Sequence, residues 1–283
     1  MIKNIKLAYG MLSPSLIWLL IFLVVPIGMI TVISFTTNEG YGGILYEFSL
    51  EAYKTTFSSM YVKVIWNSIV WSLGATLICL LLAYPFAYFI AHAGKWKNML
   101  LLLVMIPFWT NLLVRLYAWI ILLNNEGVIN ALLMKLGIIS EPITMLYTPF
   151  AIIVGLVYGF LPFMILPIYS SIEQLDKSYL EAAEDLGANP IKTFLTVTLP
   201  LTFPGVLAGF IITFVPALSV FVVTDLMTGS KLLMVGNVIR DAFVVGMNWQ
   251  LGSALSILLM ILVLISVFVF LRFTSSKDKN LLM

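Results

Sequence analysis

Six apolar stretches dominate this 283-residue sequence, and each is long enough to cross about 30 Å of hydrocarbon as a helix. They lie near 13–35, 64–91, 98–123, 148–170, 201–226 and 252–272. Backbone polar groups inside a bilayer must find partners within the chain, which favours helices. We therefore predict an all-α integral membrane protein with about six transmembrane helices, built as a single transmembrane domain over residues 1–283. Lys3 and Lys6 precede the first stretch as in a signal peptide, but that stretch is long for one and no clear cleavage site follows.

Composition excludes several classes of protein. The chain is 61% hydrophobic and 10% charged, with a net charge of +2, so no nucleic-acid partner is indicated. A single cysteine, Cys79, and a single histidine, His92, leave no disulfide framework and predict no metal site. Gly94-Lys95-Trp96 lacks the Ser or Thr of a phosphate-binding loop, and no motif of a metalloprotease or serine hydrolase occurs. We expect no enzyme, no catalytic residues and no cofactor in this chain.

Lysine and arginine are distributed unevenly between the two predicted sides of the membrane. The larger set lies in the tails and in short loops, which is typical of the cytoplasmic side. Both termini and the loop over residues 171–199 are therefore predicted to be cytoplasmic. The larger set comprises Lys3, Lys6, Lys95, Lys97, Lys177, Lys192, Arg272, Lys277 and Lys279, and the other side carries Lys54, Lys63, Arg115, Lys135, Lys231 and Arg240.

The polar loop at 171–199 has the pattern of two short helices joined by a glycine turn. Ser178 to Glu181 reads as a capping box, in which Ser178 starts a helix and Glu181 reaches back to it. Gly187 suits a left-handed helix end, and Asn189-Pro190 suits the start of a second helix. An ordinary helical hairpin, with Glu181 serving only as a cap, would have the same local pattern.

The order of residues in this loop resembles the EAA loop of permease subunits of ABC importers. In that family the loop is the coupling helix that binds a separate ATPase, and the fold is that of type I importer permeases. The resemblance implies that residues 171–199, called the coupling segment below, contact an ABC ATPase dimer that holds ATP and Mg²⁺. The residues that carry the resemblance and are implied to couple to the ATPase are Glu181, Ala182, Ala183, Gly187, Phe194 and Pro200.

Further stretches resemble the B-type permease subunit of spermidine/putrescine ABC importers. They are residues 84–89, 107–117, 155–158, 161–164, 167–177, 225–227 and 236–239. This likeness implies import of polyamines across a bacterial inner membrane by alternating access, with a C-type permease and an extracytoplasmic polyamine-binding protein as partners. A permease for another small solute is the alternative. A secondary transporter is a second alternative. An inverted repeat or several buried acids would favour it, and neither is evident.

A polyamine path needs acids or carbonyls for its ammonium groups and aromatic faces for cation–π contact. Trp109, Asn111, Tyr158 and Asp225 are the candidates for lining such a path. An ionisable residue in an apolar segment usually faces a cavity or a partner, so Asp225 either binds substrate or pairs with Arg115. Trp109 and Tyr158 can equally serve in packing, and Tyr117 and Trp119 are typical of an outer aromatic belt. The Gly155/Gly159 and Gly205/Gly209 pairs predict close helix packing.

Overall fold

The computed structural model describes the backbone of residues 2–40, 42–229 and 231–281, and the side chains of 12–40, 42–229, 231–270 and 272. The predictions that rest on Lys3, Lys6, Lys277 and Lys279 concern side chains outside this described set. The chain divides into two compact units. One comprises residues 1–63 with 238–262, and the other residues 64–237 with 263–283.

Helices make up most of the described chain. In order they are α1 Ile2–Ser34, α2 Glu51–Thr56, α3 Ser59–His92, α4 Lys97–Met105, α5 Leu112–Leu123, α6 Val128–Lys135, α7 Pro149–Glu173, α8 Lys177–Asp185, α9 Pro190–Thr193, α10 Leu199–Leu201, α11 Phe203–Ser219, α12 Phe221–Thr228, α13 Val235–Val244 and α14 Trp249–Leu281. Short 3₁₀ turns occupy Gly94–Trp96 and Ile106–Trp109, and a turn of π-helix occupies Phe194–Thr198. Strands β1, Thr37–Asn38, and β2, Ile44–Leu45, form an antiparallel hairpin in which Thr37 pairs with Leu45.

Five stretches of the described chain are long and apolar enough to cross a membrane, and a bent pair of helices makes a sixth. This confirms the predicted all-α fold with about six spans. The stretches are Leu12–Ser34, Ser59–His92, Leu112–Lys135, Pro149–Glu173 and Trp249–Phe270, and the bent pair is Pro190–Leu201 with Phe203–Ser219.

The third predicted span, 98–123, is wrong as a continuous helix. The chain leaves α4 through the 3₁₀ turn that contains Pro107, and Thr110 is extended, with φ −90° and ψ 148°. Both the backbone N–H and the hydroxyl of Thr110 donate to the Pro107 carbonyl, at 3.3 and 2.7 Å. Asn111 then caps α5 by accepting from the N–H of Leu113 at 2.8 Å. The apolar composition concealed this break, which moves the third span to Leu112–Lys135.

The fifth predicted span, 201–226, is also interrupted. Helix α11 ends at Ser219, and α12 begins at Phe221 after Val220, which has ψ 104°. A side chain at Gly236 would lie 2.0 Å from the Ser219 carbonyl oxygen, so the 236 backbone closely approaches this break. At its other end the span begins inside the bent pair, whose two parts meet at 61°.

The unit formed by 1–63 and 238–262 is held by aromatic and backbone contacts around the β-hairpin. The Phe35 ring stacks on Phe48 at 5.8 Å and lies 5.0 Å from the Tyr53 ring. The hydroxyls of Ser34 and Tyr53 lie 2.9 Å apart. The Gln250 amide donates to the Thr37 carbonyl at 3.0 Å, which joins the start of α14 to the hairpin. The Gln250 contact therefore fixes the hairpin to α14, and the Ser34–Tyr53 contact joins α1 to α2.

The unit formed by 64–237 and 263–283 is built around α7. Glycines allow the helices against it to approach closely, as the sequence predicted for Gly155, Gly205 and Gly209, whereas a Cβ at Gly159 would have only an ordinary contact of 3.7 Å with Leu112. A side chain at Gly155 would lie 2.7 Å from Val223 on α12. On α11, a side chain at Gly209 would lie 2.9 Å from Met164, and one at Gly205 would lie 2.6 Å from the Pro167 carbonyl oxygen. Small residues at helix interfaces are the usual means of close packing in membranes. Helix α7 is thereby fixed against both α11 and α12.

Candidate functional site

The coupling segment begins with a helix whose cap differs from the predicted one. Asp176, in extended conformation, accepts from the N–H of Ser178 at 3.0 Å, and α8 begins at Lys177. This hydrogen bond lowers the pKa of the Asp176 carboxyl. The predicted Ser178–Glu181 capping box is therefore wrong, because the carboxylate two residues earlier takes the capping role. Glu181 lies on the exposed face of α8 instead.

Gly187 ends α8 as predicted. Its φ is +79°, a left-handed conformation that glycine adopts without a Cβ penalty. The N–H of Gly187 donates to the Glu184 carbonyl at 2.8 Å, and that of Ala188 to the Ala183 carbonyl at 3.0 Å. These two bonds form a Schellman motif. Among the described residues, no atom lies within 4 Å of a Cβ built on Gly187, so its backbone conformation, rather than lack of space, demands glycine here.

The second short helix also starts where the sequence predicted. The Asn189 side chain accepts from the N–H of Lys192 at 2.8 Å, and Pro190 occupies the first turn of α9. The coupling segment thus has the predicted order of helix, glycine turn and helix. Its shape is set by hydrogen bonds between residues close together in the chain.

The exposed face of this hairpin includes apolar side chains that motif reasoning missed. Leu186 is 90% exposed and Ile191 is 72% exposed, on either side of the Gly187 turn. Glu181 and Ala182 are exposed as well, and Ala183 is half-buried. The sequence signal that could have identified this face is the pair of apolar residues on either side of a glycine turn within a polar loop. Exposed apolar side chains of this kind are typical of a surface that binds another protein.

Phe194 and Pro200 have a different environment from the other predicted coupling residues. The Phe194 ring meets the rings of Tyr84 and Tyr88 edge-on, at 5.4 and 6.1 Å between centroids. Phe194 and Pro200 also line an apolar groove of about 500 Å³ together with Tyr84 and Phe203. The predicted set therefore divides: Glu181, Ala182, Ala183 and Gly187 lie on the hairpin, whereas Phe194 and Pro200 pack beside α3.

An ion pair that the sequence did not suggest lies at the start of the coupling segment. Lys97, at the start of α4, donates a short hydrogen bond to the Glu173 carboxylate at the end of α7. This hydrogen bond raises the pKa of Lys97. The pair borders a cleft of about 440 Å³ that His92 and Lys177 also line. The contact ties the start of α4 to the helix that leads into the coupling segment.

Two of the predicted pathway residues, Trp109 and Asn111, lie at the break between α4 and α5, whereas Tyr158 lies within α7 and Asp225 within α12. Trp109 is 77% exposed in the 3₁₀ turn, and Asn111 caps α5 with its side-chain oxygen. Tyr158 meets Trp119 edge-on at 5.5 Å between ring centroids. Trp119 therefore has an internal packing role beside its predicted place in an aromatic belt. Tyr117 is exposed, as a belt residue would be.

Arg115 does not pair with Asp225, so this alternative is wrong. The guanidinium carbon lies 4.7 Å from the Phe108 ring centroid and 5.9 Å from that of Tyr158. In the described part of the chain, no hydrogen-bond acceptor reaches the buried Nε and Nη1 atoms. Aromatic faces provide its stabilisation through cation–π contact. The sequence offered Arg115 as a partner of Asp225 but could not show which way either side chain points.

Asp225 instead contacts a buried asparagine. The Asn237 amide donates to the Asp225 carboxylate at 2.6 Å and to the Phe221 carbonyl at 3.2 Å. The Asn237 oxygen accepts from the Thr224 hydroxyl at 2.7 Å and from the N–H of Met234 at 2.9 Å. Asn237 is fully buried, and it fixes the carboxylate on α12 relative to the start of α13. Sequence reasoning did not select Asn237 as a site residue.

The fold of this chain matches that of a solved transporter subunit. The chain superposes on a chain of a solved bacterial alginate ABC transporter, in complex with an alginate pentasaccharide-bound periplasmic protein, with a TM-score of 0.77. That match covers 95% of this chain and 94% of the other at 20% identity, so it bears on the fold alone. The fold is that of an ABC importer permease.

Sequence comparison then gives the family. Residues 83–277, more than half of the chain, match the binding-protein-dependent transport system inner membrane component family. The chain belongs to this family. It is 45% identical over 256 residues to the spermidine/putrescine transport system permease protein PotB of Haemophilus influenzae, which covers 90% of each protein. It is 43% identical over 264 residues to PotB of Escherichia coli strain K12, covering 93% of this chain and 96% of that one.

Proposed function

We propose that this permease imports polyamines, spermidine or putrescine, into a bacterial cell by alternating access driven by ATP. The observation that carries this proposal is the near full-length identity of 45% and 43% to two permeases named for spermidine and putrescine transport. The half-buried carboxylate of Asp225 and the aromatic rings of Trp109 and Tyr158 are groups that a flexible polycation can bind. Ammonium groups bind carboxylates and aromatic faces, and methylenes bind apolar walls.

The ATPase would bind at the coupling segment. An ABC ATPase dimer, holding ATP and Mg²⁺, would contact the exposed hairpin through Glu181, Ala182, Leu186 and Ile191. Two exposed apolar side chains beside a rigid glycine turn resemble the anchors of a protein interface, in which a few side chains supply most of the affinity. Closure of the ATPase would move this hairpin. Phe194 and Pro200, packed beside α3, would transfer the movement into the membrane.

Two further partners follow from the family and the proposed substrate. A second permease of the C type would complete the path, and an extracytoplasmic polyamine-binding protein would deliver substrate. Trp109, Asn111, Tyr158 and Asp225 would line the half of the path that this chain provides. Asp225 would supply the negative charge, held in place by Asn237 at 2.6 Å.

The charge distribution supports one orientation in the membrane. The family places the chain in the inner membrane. We propose that both termini and the coupling segment face the cytoplasm, where ATP is available. External labelling of a cysteine introduced at Lys277 in a cysteine-free background tests this orientation. Labelling of intact cells at that position would contradict it.

Co-purification followed by transport measurement tests the function. The tagged chain should retain an ATPase and a second permease in detergent, and the reconstituted complex should accumulate radiolabelled spermidine when ATP and the binding protein are present. Transport of another solute but not of polyamines would contradict the substrate while leaving the ABC mechanism intact. Uptake by the isolated chain would contradict the ABC mechanism and favour a secondary transporter.

A further inference from the structure

The chain bends sharply where the coupling segment joins the membrane. The helices over Pro190–Leu201 and Phe203–Ser219 meet at 61°, with Thr202 at the junction. Pro200 and Pro204 each lack the N–H that would continue the helical hydrogen bonds. The preceding turn is widened into π-helix, in which the N–H of Leu199 reaches the Phe194 carbonyl. Single π turns and prolines both mark sites where a helix can change direction.

A buried hydrogen bond fixes this junction to another helix. The Tyr84 hydroxyl on α3 lies 2.7 Å from the Thr202 hydroxyl, and Tyr84 is 8% exposed. The Thr202 hydroxyl also lies 2.7 Å from the Thr198 carbonyl, to which it must donate. Since a hydroxyl has a single proton to give, Tyr84 is the donor in the bond between the two side chains. Away from water, such a bond is costly to lose.

The Tyr84 ring also contacts Phe194, the first residue of the π turn. The Tyr84 ring meets Phe194 edge-on at 5.4 Å, while its hydroxyl reaches Thr202 at the opposite end. One side chain of α3 therefore contacts both ends of the segment that joins α9 to α11. A displacement of that segment has to change the Tyr84 contacts.

Beyond the junction, the chain has little freedom to move. A side chain at Gly205 would lie 2.4 Å from the Ser171 Cβ and 2.6 Å from the Pro167 carbonyl oxygen, which places α11 directly against α7. The Ser171 hydroxyl also makes a long contact of 3.5 Å with the Thr202 carbonyl. The segment before the junction is exposed at Leu195 and Thr196. Bending is therefore easier before Thr202 than after it.

We propose that Tyr84 is a positioning residue for transport, and that its hydrogen bond to Thr202 sets the angle between the coupling segment and α11. This inference rests on the proposed binding of an ATPase to the coupling segment. The bond makes movement of the hairpin move α3 and α11 together. Without it, the hairpin follows the ATPase while the membrane helices respond less, so ATP is hydrolysed with less transport.

The test compares transported spermidine per ATP hydrolysed in proteoliposomes that contain the whole complex and the binding protein. Tyr84→Phe removes the donor and keeps the ring against Phe194. Because one buried hydrogen bond is lost, the ratio should fall about fivefold, with ATP hydrolysis and subunit composition retained. In Thr202→Val, the ratio should fall by a similar factor. Tyr84→Phe combined with Thr202→Val should be no worse than the single variants, because both remove the same contact. Thr202→Ser keeps the hydroxyl, so this variant should keep the wild-type ratio.

Tyr88→Phe is the matched control. Tyr88 also meets Phe194 edge-on and lies one helical turn further along α3, but within the described chain its hydroxyl has no hydrogen-bond partner. It should keep the wild-type ratio. An unchanged ratio in assembled Tyr84→Phe, or an equal loss in Tyr88→Phe, overturns the positioning role. Failure of the wild-type chain to retain an ATPase would instead overturn the proposed function, which distinguishes the two.

Discussion

The coupling segment and the candidate pathway are built by different kinds of contact. In the coupling segment, the shaping hydrogen bonds join residues two to five positions apart, such as Asp176 to Ser178 and Ala183 to Ala188. In the pathway, the decisive contacts join side chains on different helices, such as Arg115 with Tyr158 and Asp225 with Asn237. Local shape is therefore robust at the hairpin, whereas the pathway depends on how whole helices pack.

This difference has a functional consequence. A hairpin that forms from its own hydrogen bonds can present the same surface while the helices behind it move. A carboxylate held by an asparagine from a neighbouring helix changes its surroundings whenever those helices move. A rigid docking surface and a movable substrate site are what alternating access requires. Substitutions in the two regions should therefore fail in different ways.

The largest effect is expected at the glycine turn. Gly187→Asp adds a negative charge beside Glu184 and Asp185, on the surface proposed to bind the ATPase. Uptake should be abolished, and the ATPase should be lost on purification, while the permease remains in the membrane. Gly187→Asn is the control, because asparagine tolerates the same left-handed backbone without charge. Full uptake by Gly187→Asp at normal expression would rule out the docking role. An equal loss in Gly187→Asn would assign the defect to the backbone rather than to the surface.

A smaller effect is expected in the pathway. Asp225→Asn keeps an acceptor for the Asn237 amide and removes the charge. Because a charge-assisted contact with a substrate ammonium is lost, uptake should fall about tenfold while assembly and basal ATP hydrolysis persist. Arg115→Gln should not rescue it, since Arg115 lies on the Phe108 and Tyr158 rings rather than on Asp225. Wild-type uptake by Asp225→Asn would remove Asp225 from the path, and rescue by Arg115→Gln would show that the two side chains interact.

The ion pair at the start of the coupling segment should have a moderate effect. Lys97→Glu places two carboxylates together and should reduce uptake about threefold, because like charges repel where opposite charges attracted. Glu173→Lys alone should be similarly impaired. The exchanged pair, Lys97→Glu with Glu173→Lys, should recover uptake if attraction between α4 and α7 is what matters. Its failure to recover would show that Lys97 or Glu173 acts through another group.

The smallest effect is expected at the cap of α8, and it separates the Asp176 cap of the structure from the capping box that the sequence predicted. Asp176→Ala should speed amide hydrogen exchange at Ser178 in the whole complex and change uptake less than about twofold, whereas Asp176→Asn should match wild type. The lowered pKa means that the charged cap contributes above the unfolded pKa and is lost as pH falls through the lower folded pKa. No change from this group is therefore expected between pH 6 and 8. Faster exchange in Glu181→Ala than in Asp176→Ala would restore the capping box.

Several parts of the fold and site followed from sequence because their physical causes are local. Apolar length predicted the number of spans, since the cost of an exposed backbone in lipid does not depend on the neighbouring helices. Gly187 and Asn189-Pro190 predicted the turn and the second helix, because their backbone preferences act over a few residues. The ordered spacing from Glu181 to Pro200 predicted the permease family, which the match over residues 83–277 confirms.

Packing decided the rest. The interruption at Val220 lies within an apolar run and depends on the close approach of the Gly236 backbone. The stacking of Arg115 on aromatic rings, the contact of Asp225 with Asn237 and the bond of Tyr84 to Thr202 each join side chains from different helices. Hydropathy gives a helix its length but not its rotation or its neighbours. Those are fixed only when glycines such as Gly155, Gly205 and Gly209 let specific faces meet.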